Sequence, residues 1–181
     1  VVQFDAAVLS DAQVASGVTT VHLGAFDSNN QLLAKKSISV DKYPENNIVS
    51  FDVPARNGVT IVVLGEENWG QGEGDFITYY GKADYDNMER PLDLKAGETV
   101  TVTIFTDNVD FCIYGSYNGS LNRIEWERVP GATRYVFLSD GVVQYSTSNN
   151  FIPGPPDSYE LIITFGFAGK DSSYIYTEGW F

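Results

Sequence analysis

Apolar residues recur along this chain with a period of two and at short, regular intervals, the mark of strands whose alternate side chains face opposite sides of a sheet. No window carries a helical period. Val2 to Leu9 forms the first apolar run. Thr19 to Phe26 forms the second, with Val21, Leu23 and Ala25 on one face and His22 on the other. Asp27-Ser28-Asn29-Asn30 has turn chemistry, because Asn and Asp bond to their own backbone and tolerate positive φ. Gln31 to Val40 then returns, so residues 19–40 read as a hairpin.

Residues 47–53 alternate Ile48, Ser50 and Asp52 against Val49, Phe51 and Val53, a half-buried strand. Gly58 to Leu64 is nearly all apolar and reads as a central strand buried on both sides. A glycine-rich loop spans 65–75, and Phe76 to Ala83 is a further strand. Residues 84–90 are a polar excursion, Pro91 to Leu94 a short edge segment, and Lys95-Ala96-Gly97-Glu98 a turn. Thr99 to Phe105 gives the cleanest alternation in the chain. About seven strands over residues 1–106 is the complement of a β-sandwich. Thr106-Asp107-Asn108 is the seam, after which the register changes.

Beyond the seam, Ile124 and Trp126 alternate with Glu125 and Glu127, one face apolar and one charged. Residues 135–138 are apolar on both faces. Asp140-Gly141 between two apolar runs predicts a tight hairpin, and Pro153-Gly154-Pro155-Pro156 predicts a loop, since proline cannot donate to a ladder. Leu161, Ile163 and Phe165 alternate with Ile162 and Thr164. The expected fold is all-β, two tandem antiparallel sandwiches of Ig-like or fibronectin-like type, over residues 1–106 and 107–181.

Two resemblances refine this. "YYGKAD" at 79–84 and "LDLKAGETVTVTI" at 92–104 resemble the prealbumin-like or carboxypeptidase-regulatory type of bacterial sandwich, over about half of residues 1–106. Residues 109–178 resemble a fibronectin type III domain. Trp126 matches that family's core tryptophan on its second strand, residues 129–133 the following turn, and Tyr135 the inward tyrosine opening the third strand. Ser139-Asp140-Gly141 matches the next tight turn, Tyr159 the tyrosine beginning the sixth strand, and residues 168–173 the last loop. The domain is shorter than the family's usual length, so the resemblance implies a first strand that is short or supplied from elsewhere.

Aromatics make up 14% of the chain, which suits pleated, half-buried surfaces. A formal charge of −13 with Lys35-Lys36 as the sole basic pair excludes nucleic acid, because there is no cationic stripe to offset phosphate repulsion. No stretch reaches the roughly 20 apolar residues of a membrane helix, so membrane insertion is not expected. No signal-peptide pattern is present, and the opening Val1-Val2-Gln3-Phe4 suits a processed chain. Cys112 has no partner for an intramolecular disulfide and reads as a small buried hydrophobe.

Catalytic material is sparse in the sequence. The one histidine, His22, lies mid-strand, and no nucleophile elbow, zinc or phosphate-loop spacing occurs. Gly70-Gln71-Gly72-Glu73-Gly74 mimics part of a phosphate loop, but its acidic flanks would repel phosphate. The chain is therefore expected to be non-enzymatic and to need no cofactor. Calcium is the inorganic ligand its acidic loops best suit, hard oxygen donors being grouped in two places. One group is Glu66, Glu67, Asn68, Glu73 and Asp75, and the other Asp84, Asp86, Asn87 and Glu89. The bland alternative for both is a solvated acidic loop.

Carbohydrate binding requires exposed aromatic faces. Trp69 in the polar loop is the leading candidate, with Tyr79, Tyr80 and Tyr85 after it. The terminal Trp180-Phe181 pair is expected to seek burial, in this chain or in another subunit. Asn118-Gly119-Ser120 is a glycosylation sequon. The leading expectation is an extracellular, cell-surface structural or adhesive module. It would assemble with other subunits through Val1, Val2 and Phe4 of the first strand and through Trp180 and Phe181, by strand addition. The alternative is a carbohydrate-binding accessory module of a secreted protein.

Overall fold

The computed structural model describes residues 2–5, 17–42, 44, 48–68, 75–86, 89–104, 107–108, 113–154, 158–169 and 174–180. It is β-rich, with strands in mostly antiparallel sheets. The strands are β1 (Val2–Asp5), β2 (Val18–Phe26), β3 (Leu32–Ser39), β4 (Ile48–Phe51), β5 (Thr60–Asn68), β6 (Asp75–Ala83), β7 (Val100–Thr103) and β8 (Asp107–Asn108). They continue with β9 (Ile113–Asn118), β10 (Arg123–Trp126), β11 (Arg134–Ser139), β12 (Val142–Thr147), β13 (Phe151–Pro153), β14 (Ser158–Thr164) and β15 (Tyr174–Trp180). Short 3-10 turns occupy Val40–Lys42 and Gly166–Ala168.

The 19–40 hairpin forms as expected, β2 pairing with β3 around the Asp27–Asn30 turn. Asp27 builds that turn, its Oδ1 accepting from the backbone N–H groups of Asn29 and Gln31, both at 2.9 Å. The Asp140-Gly141 turn between β11 and β12 carries φ of 51° and 73° at its two central residues. Two positive φ values match the twist of the flanking strands, which is why Asp-Gly is favoured there.

β5 is the pivot of the fold. It lies between β2 and β6, and its alternation divides its side chains between two cores. Ile61 and Val63 face the first core, where they meet Val21, Leu23 and Ala25 of β2, Val49 and Phe51 of β4, and Val102 of β7. Val62 and Leu64 face the second core, with Trp126, Tyr135, Phe137, Leu161, Ile163 and Phe167. The neighbouring strand β6 obeys the same division only because of a bulge. Gly65 pairs with Tyr79 and Glu66 with Ile77, so Thr78 is the extra residue. The bulge reverses the alternation, sending Ile77 to the second core and Tyr79 to the first.

A three-stranded sheet, β4-β1-β7, covers the first core from the other side. β1 is its middle strand, antiparallel to β4 and parallel to β7. The second core is closed by β9-β10-β13 on one side and by the run β12-β11-β14-β15 on the other. That run is continuous with the first part of the molecule, because Tyr174 of β15 pairs with Phe76 of β6.

Two features of the packing cross residue 106. The boundary between the cores does not follow residue 106, since Phe26, Val62, Leu64 and Ile77 from the first part complete the second core. Asp107-Asn108, read as a seam, is strand β8, bonded to β6 at Tyr79 and Tyr80. The physical reason lies in β5: a strand apolar on both faces needs two covering layers, and the second layer is the C-terminal half of the chain.

Candidate functional site

The polar excursion after β6 folds back on itself. Tyr85 bridges Pro91, and Leu94 bridges Arg56. Asp86 closes the turn: its Oδ1 accepts the backbone N–H of Arg90 at 3.0 Å, and its Oδ2 accepts Nε of the Arg90 side chain at 2.8 Å. Leu92 and Leu94 turn inward to the first core and anchor the segment. Between this segment and β7 opens a cavity of about 270 Å³, lined by Asp86, Arg90, Pro91, Leu92, Asp93, Lys95, Glu98 and Val100. Three carboxylates and two cations thus stand over an apolar floor. Tyr85, beside Pro91, is 53% exposed.

The residues expected to bind calcium fall into different settings. Glu66 is buried on β5 with Oε2 at 3.2 Å from His22 Nε2. Glu67 is half-buried on the same strand, Asp75 opens β6, Asp84 is exposed and Asp86 is engaged by Arg90. Among the described residues no three His, Cys, Asp or Glu side chains gather as a metal site. Glu73 and Asn87 lie outside the described residues.

The aromatic candidates also separate. Trp69 lies outside the described residues. Tyr79 is 7% exposed and belongs to the first core, which corrects the expectation that its ring faces a sugar. Tyr80, on the opposite face of β6, packs against the second core with its ring 5.9 Å from Phe165 and its hydroxyl donating to Pro130 O at 3.2 Å. Burial raises its pKa, with Tyr135 and the Asp84 charge adding to the effect. Tyr85 alone of the three is exposed.

The terminal strands are both paired within the chain. Val2 and Phe4 lie opposite Phe51 and Val49 in the β1–β4 ladder, and Trp180 pairs with Ser158 and Tyr114. Val1, Phe181 and Cys112 lie outside the described residues. Asn118 ends β9, where its Oδ1 accepts from the Leu121 N–H at 3.3 Å and its Nδ2 donates to Glu125 at 3.4 Å.

One grouping goes beyond what the sequence suggested. Ser37 Oγ stands 2.8 Å from His22 Nδ1, while Glu66 stands behind the other ring nitrogen. The pairing of His22 with Ser37 depends on a register shift in the β2–β3 ladder between Ala25 and Phe26, so counting outward from the Asp27–Asn30 turn alone misses it. Glu66 joins them through the β2–β5 ladder, in which Thr20 lies opposite Glu66 and His22 opposite Leu64, a register with no sequence signal.

No protein-family model matches the chain, and no curated protein matches it. Among solved structures, the chain is similar to a Bacteroides thetaiotaomicron protein described as one of the "putative polysaccharide binding proteins (DUF1812)". Identity is 15% and the TM-score 0.31, over 93% of this chain and 76% of that one. It is also similar to a "putative adhesin" from Bacteroides ovatus, at 15% identity and TM-score 0.31, over 91% of this chain. The match spans 59% of that adhesin's length.

Proposed function

We propose that this chain is an extracellular, cell-surface binding module that holds carbohydrate at the cavity between the 84–98 segment and β7. The observation that carries this reading is the cavity's composition. Planar carboxylates of Asp86, Asp93 and Glu98 and the Arg90 and Lys95 cations offer acceptors and donors to sugar hydroxyls, and the exposed Tyr85 ring stands at the same excursion. An apolar floor with a few convergent polar groups is the usual makeup of a small-ligand site. No reaction is assigned to this cavity. The strand pairings β9-β10-β13 and β12-β11-β14-β15, with Trp126 buried against Tyr135 and Phe137, support reading residues 107–181 as fibronectin type III-like.

The test is retention on a panel of immobilised polysaccharides for the native chain and for Tyr85→Ala and Lys95→Ala, two exposed positions. Retention weakened roughly tenfold by either change supports the reading, since a hydrogen-bonded or stacked contact of this kind contributes about 1–2 kcal/mol. Retention indifferent to both, or no retention of any polysaccharide, overturns it.

A second reading, assembly through the termini, is favoured by one observation. β1 is a four-residue strand lodged between β4 and β7, a place in the sheet that another subunit's strand could take. Ordered polymers in electron micrographs, lost when residues 1–9 are deleted, would support it. A chain that remains monomeric at high concentration would remove it.

A further inference from the structure

Ser37, His22 and Glu66 stand in one row across three neighbouring strands, β3, β2 and β5. The register creates the row. His22 lies directly opposite Ser37 and opposite Leu64, and Glu66 follows Leu64 by two residues on the same face of β5. The distances are 2.8 Å from Ser37 Oγ to His22 Nδ1 and 3.2 Å from His22 Nε2 to Glu66 Oε2. His22 is 4% exposed and Glu66 8%, whereas Ser37 is open to solvent.

A bridge that only tied the sheet together would be satisfied by any donor and acceptor. This row is directional. The Glu66 carboxylate lies 3.2 Å from Nε2 without forming an aligned hydrogen bond, so it acts on that nitrogen by its charge, which favours the proton there and leaves Nδ1 as an acceptor for the Ser37 hydroxyl. That is the order nucleophile, base, orienting acid, with the nucleophile at the surface and the other two shielded behind it. Lys35 lies two residues from Ser37 on the same face of β3 and brings a cation nearby. Among the described strands β3 ends the sheet, so alternate backbone N–H groups on its outer side face away from β2 and can donate to a developing oxyanion.

We propose that Ser37 is an activated nucleophile of an acyl-transfer site, with His22 as general base and Glu66 as its positioning residue, acting on carboxylic esters presented at the edge of the sheet. Ser37 Oγ bonds to the ester carbonyl carbon while its proton passes to His22 Nδ1, and Glu66 stabilises the imidazolium. Collapse of the tetrahedral intermediate breaks the bond to the alcohol oxygen, which leaves with the proton from Nδ1. Water, deprotonated by the same nitrogen, then releases the acid and restores Ser37. Its open position on a strand suits an ester projecting from a larger molecule. The inference is independent of the carbohydrate cavity, which lies on the other core's side of the chain.

The experiment treats the intact chain with a fluorophosphonate probe and, separately, with p-nitrophenyl acetate. The expected results are one phosphonylated residue, mapped to Ser37, and ester hydrolysis that falls by at least roughly 100-fold in Ser37→Ala, because losing the nucleophile also idles the general base, whose assistance alone is of that size. Ser37 is exposed, so Ser37→Ala keeps the fold, and Glu66→Gln gives a second variant of unchanged shape. Glu66→Gln should slow phosphonylation and displace the pH–rate profile, which a purely structural role would leave alone. Polysaccharide retention should be the same in Ser37→Ala as in the native chain, so the two readings fail separately. Label spread equally over Ser37 and the exposed Ser148, hydrolysis unchanged in Ser37→Ala, or no reaction with either probe overturns the proposal.

Discussion

The side-chain amide of Asn30 grips the backbone at Gly131 from across the molecule: its Oδ1 accepts the Gly131 N–H at 2.7 Å, and its Nδ2 donates to the next carbonyl, Ala132 O, at 2.9 Å. The β2–β3 turn of the first part is thereby pinned to the β10–β11 turn of the second. Asn30 itself has φ of 60°, a left-handed conformation that Asn tolerates and most residues resist.

Asn30→Ala removes both bonds and leaves a Cβ residue in the left-handed region. The expected loss is about 1–3 kcal/mol, the range for leaving buried or half-buried donors and acceptors unmet. It should be read as a lower urea midpoint with an unchanged slope. An unchanged midpoint would mean that the two halves are held by core packing alone.

Gly24 carries a second prediction about the same junction. A Cβ built there would lie 2.6 Å from the Phe26 ring and 2.9 Å from the Phe167 ring, which are themselves edge-to-face at 5.2 Å. Gly24→Val therefore forces apart two aromatics of the second core. Overpacking of this kind costs about 1–3 kcal/mol. Thermal melting of Gly24→Val beside Gly24→Ala should show the larger side chain giving the lower midpoint.

These two contacts mark where sequence reading ran out. Local patterns located most of the strands: the alternation around Trp126, the Asp140-Gly141 turn and the nearly all apolar 58–64 run each map onto the element they predicted, although β5 runs on to Asn68 through the start of the expected 65–75 loop. The apolar run even indicated that β5 is covered twice. What it could not say was by what, because a strand buried on two faces is compatible with many partners. The second layer is the chain's own C-terminal half, and its fit depends on Gly24, Asn30 and the Thr78 bulge, none of which can be read from the spacing of apolar residues. The site residues show the same limit. Ser37 comes opposite His22 only through the hairpin's register shift between Ala25 and Phe26, and Glu66 arrives by pairing of two strands that β3 and β4 separate in sequence. Tyr79 and Tyr80 look alike in sequence, and burial separates both from Tyr85.

Asp27 gives the pH prediction. The backbone N–H of Gln31 bonds its carboxylate and lowers its pKa from 3.8; burial works in the opposite direction, and the Asn29 N–H and Arg56 add to the lowering. A carboxylate whose folded pKa lies below its unfolded value stabilises the fold above the unfolded value, and that contribution is lost as pH falls through the folded one. Native protein should therefore lose stability faster than Asp27→Asn below pH 3.8, while their difference stays constant at higher pH. Urea unfolding of the two proteins from pH 7 to acid measures this. Parallel curves over the whole acid range would mean that Asp27 contributes by its shape and not by its charge.

Tyr79 and Tyr85 should respond to truncation in opposite ways. Tyr79 is a buried ring of the first core, packed among Val63 and its neighbours, so Tyr79→Ala leaves a large cavity and should lower stability by about 3–5 kcal/mol, the range for buried aromatics. Tyr85 is 53% exposed, and its removal should change stability by no more than about 0.5 kcal/mol. If the 84–98 cavity holds carbohydrate, Tyr85→Ala weakens polysaccharide retention in a protein that unfolds at the native urea midpoint. Tyr79→Ala, compared at a temperature where it remains folded, retains polysaccharide normally, because its ring never reaches the cavity's solvent side. The reverse pattern, retention lost with Tyr79 and kept without Tyr85, would shift the binding surface from the excursion to the face of β6.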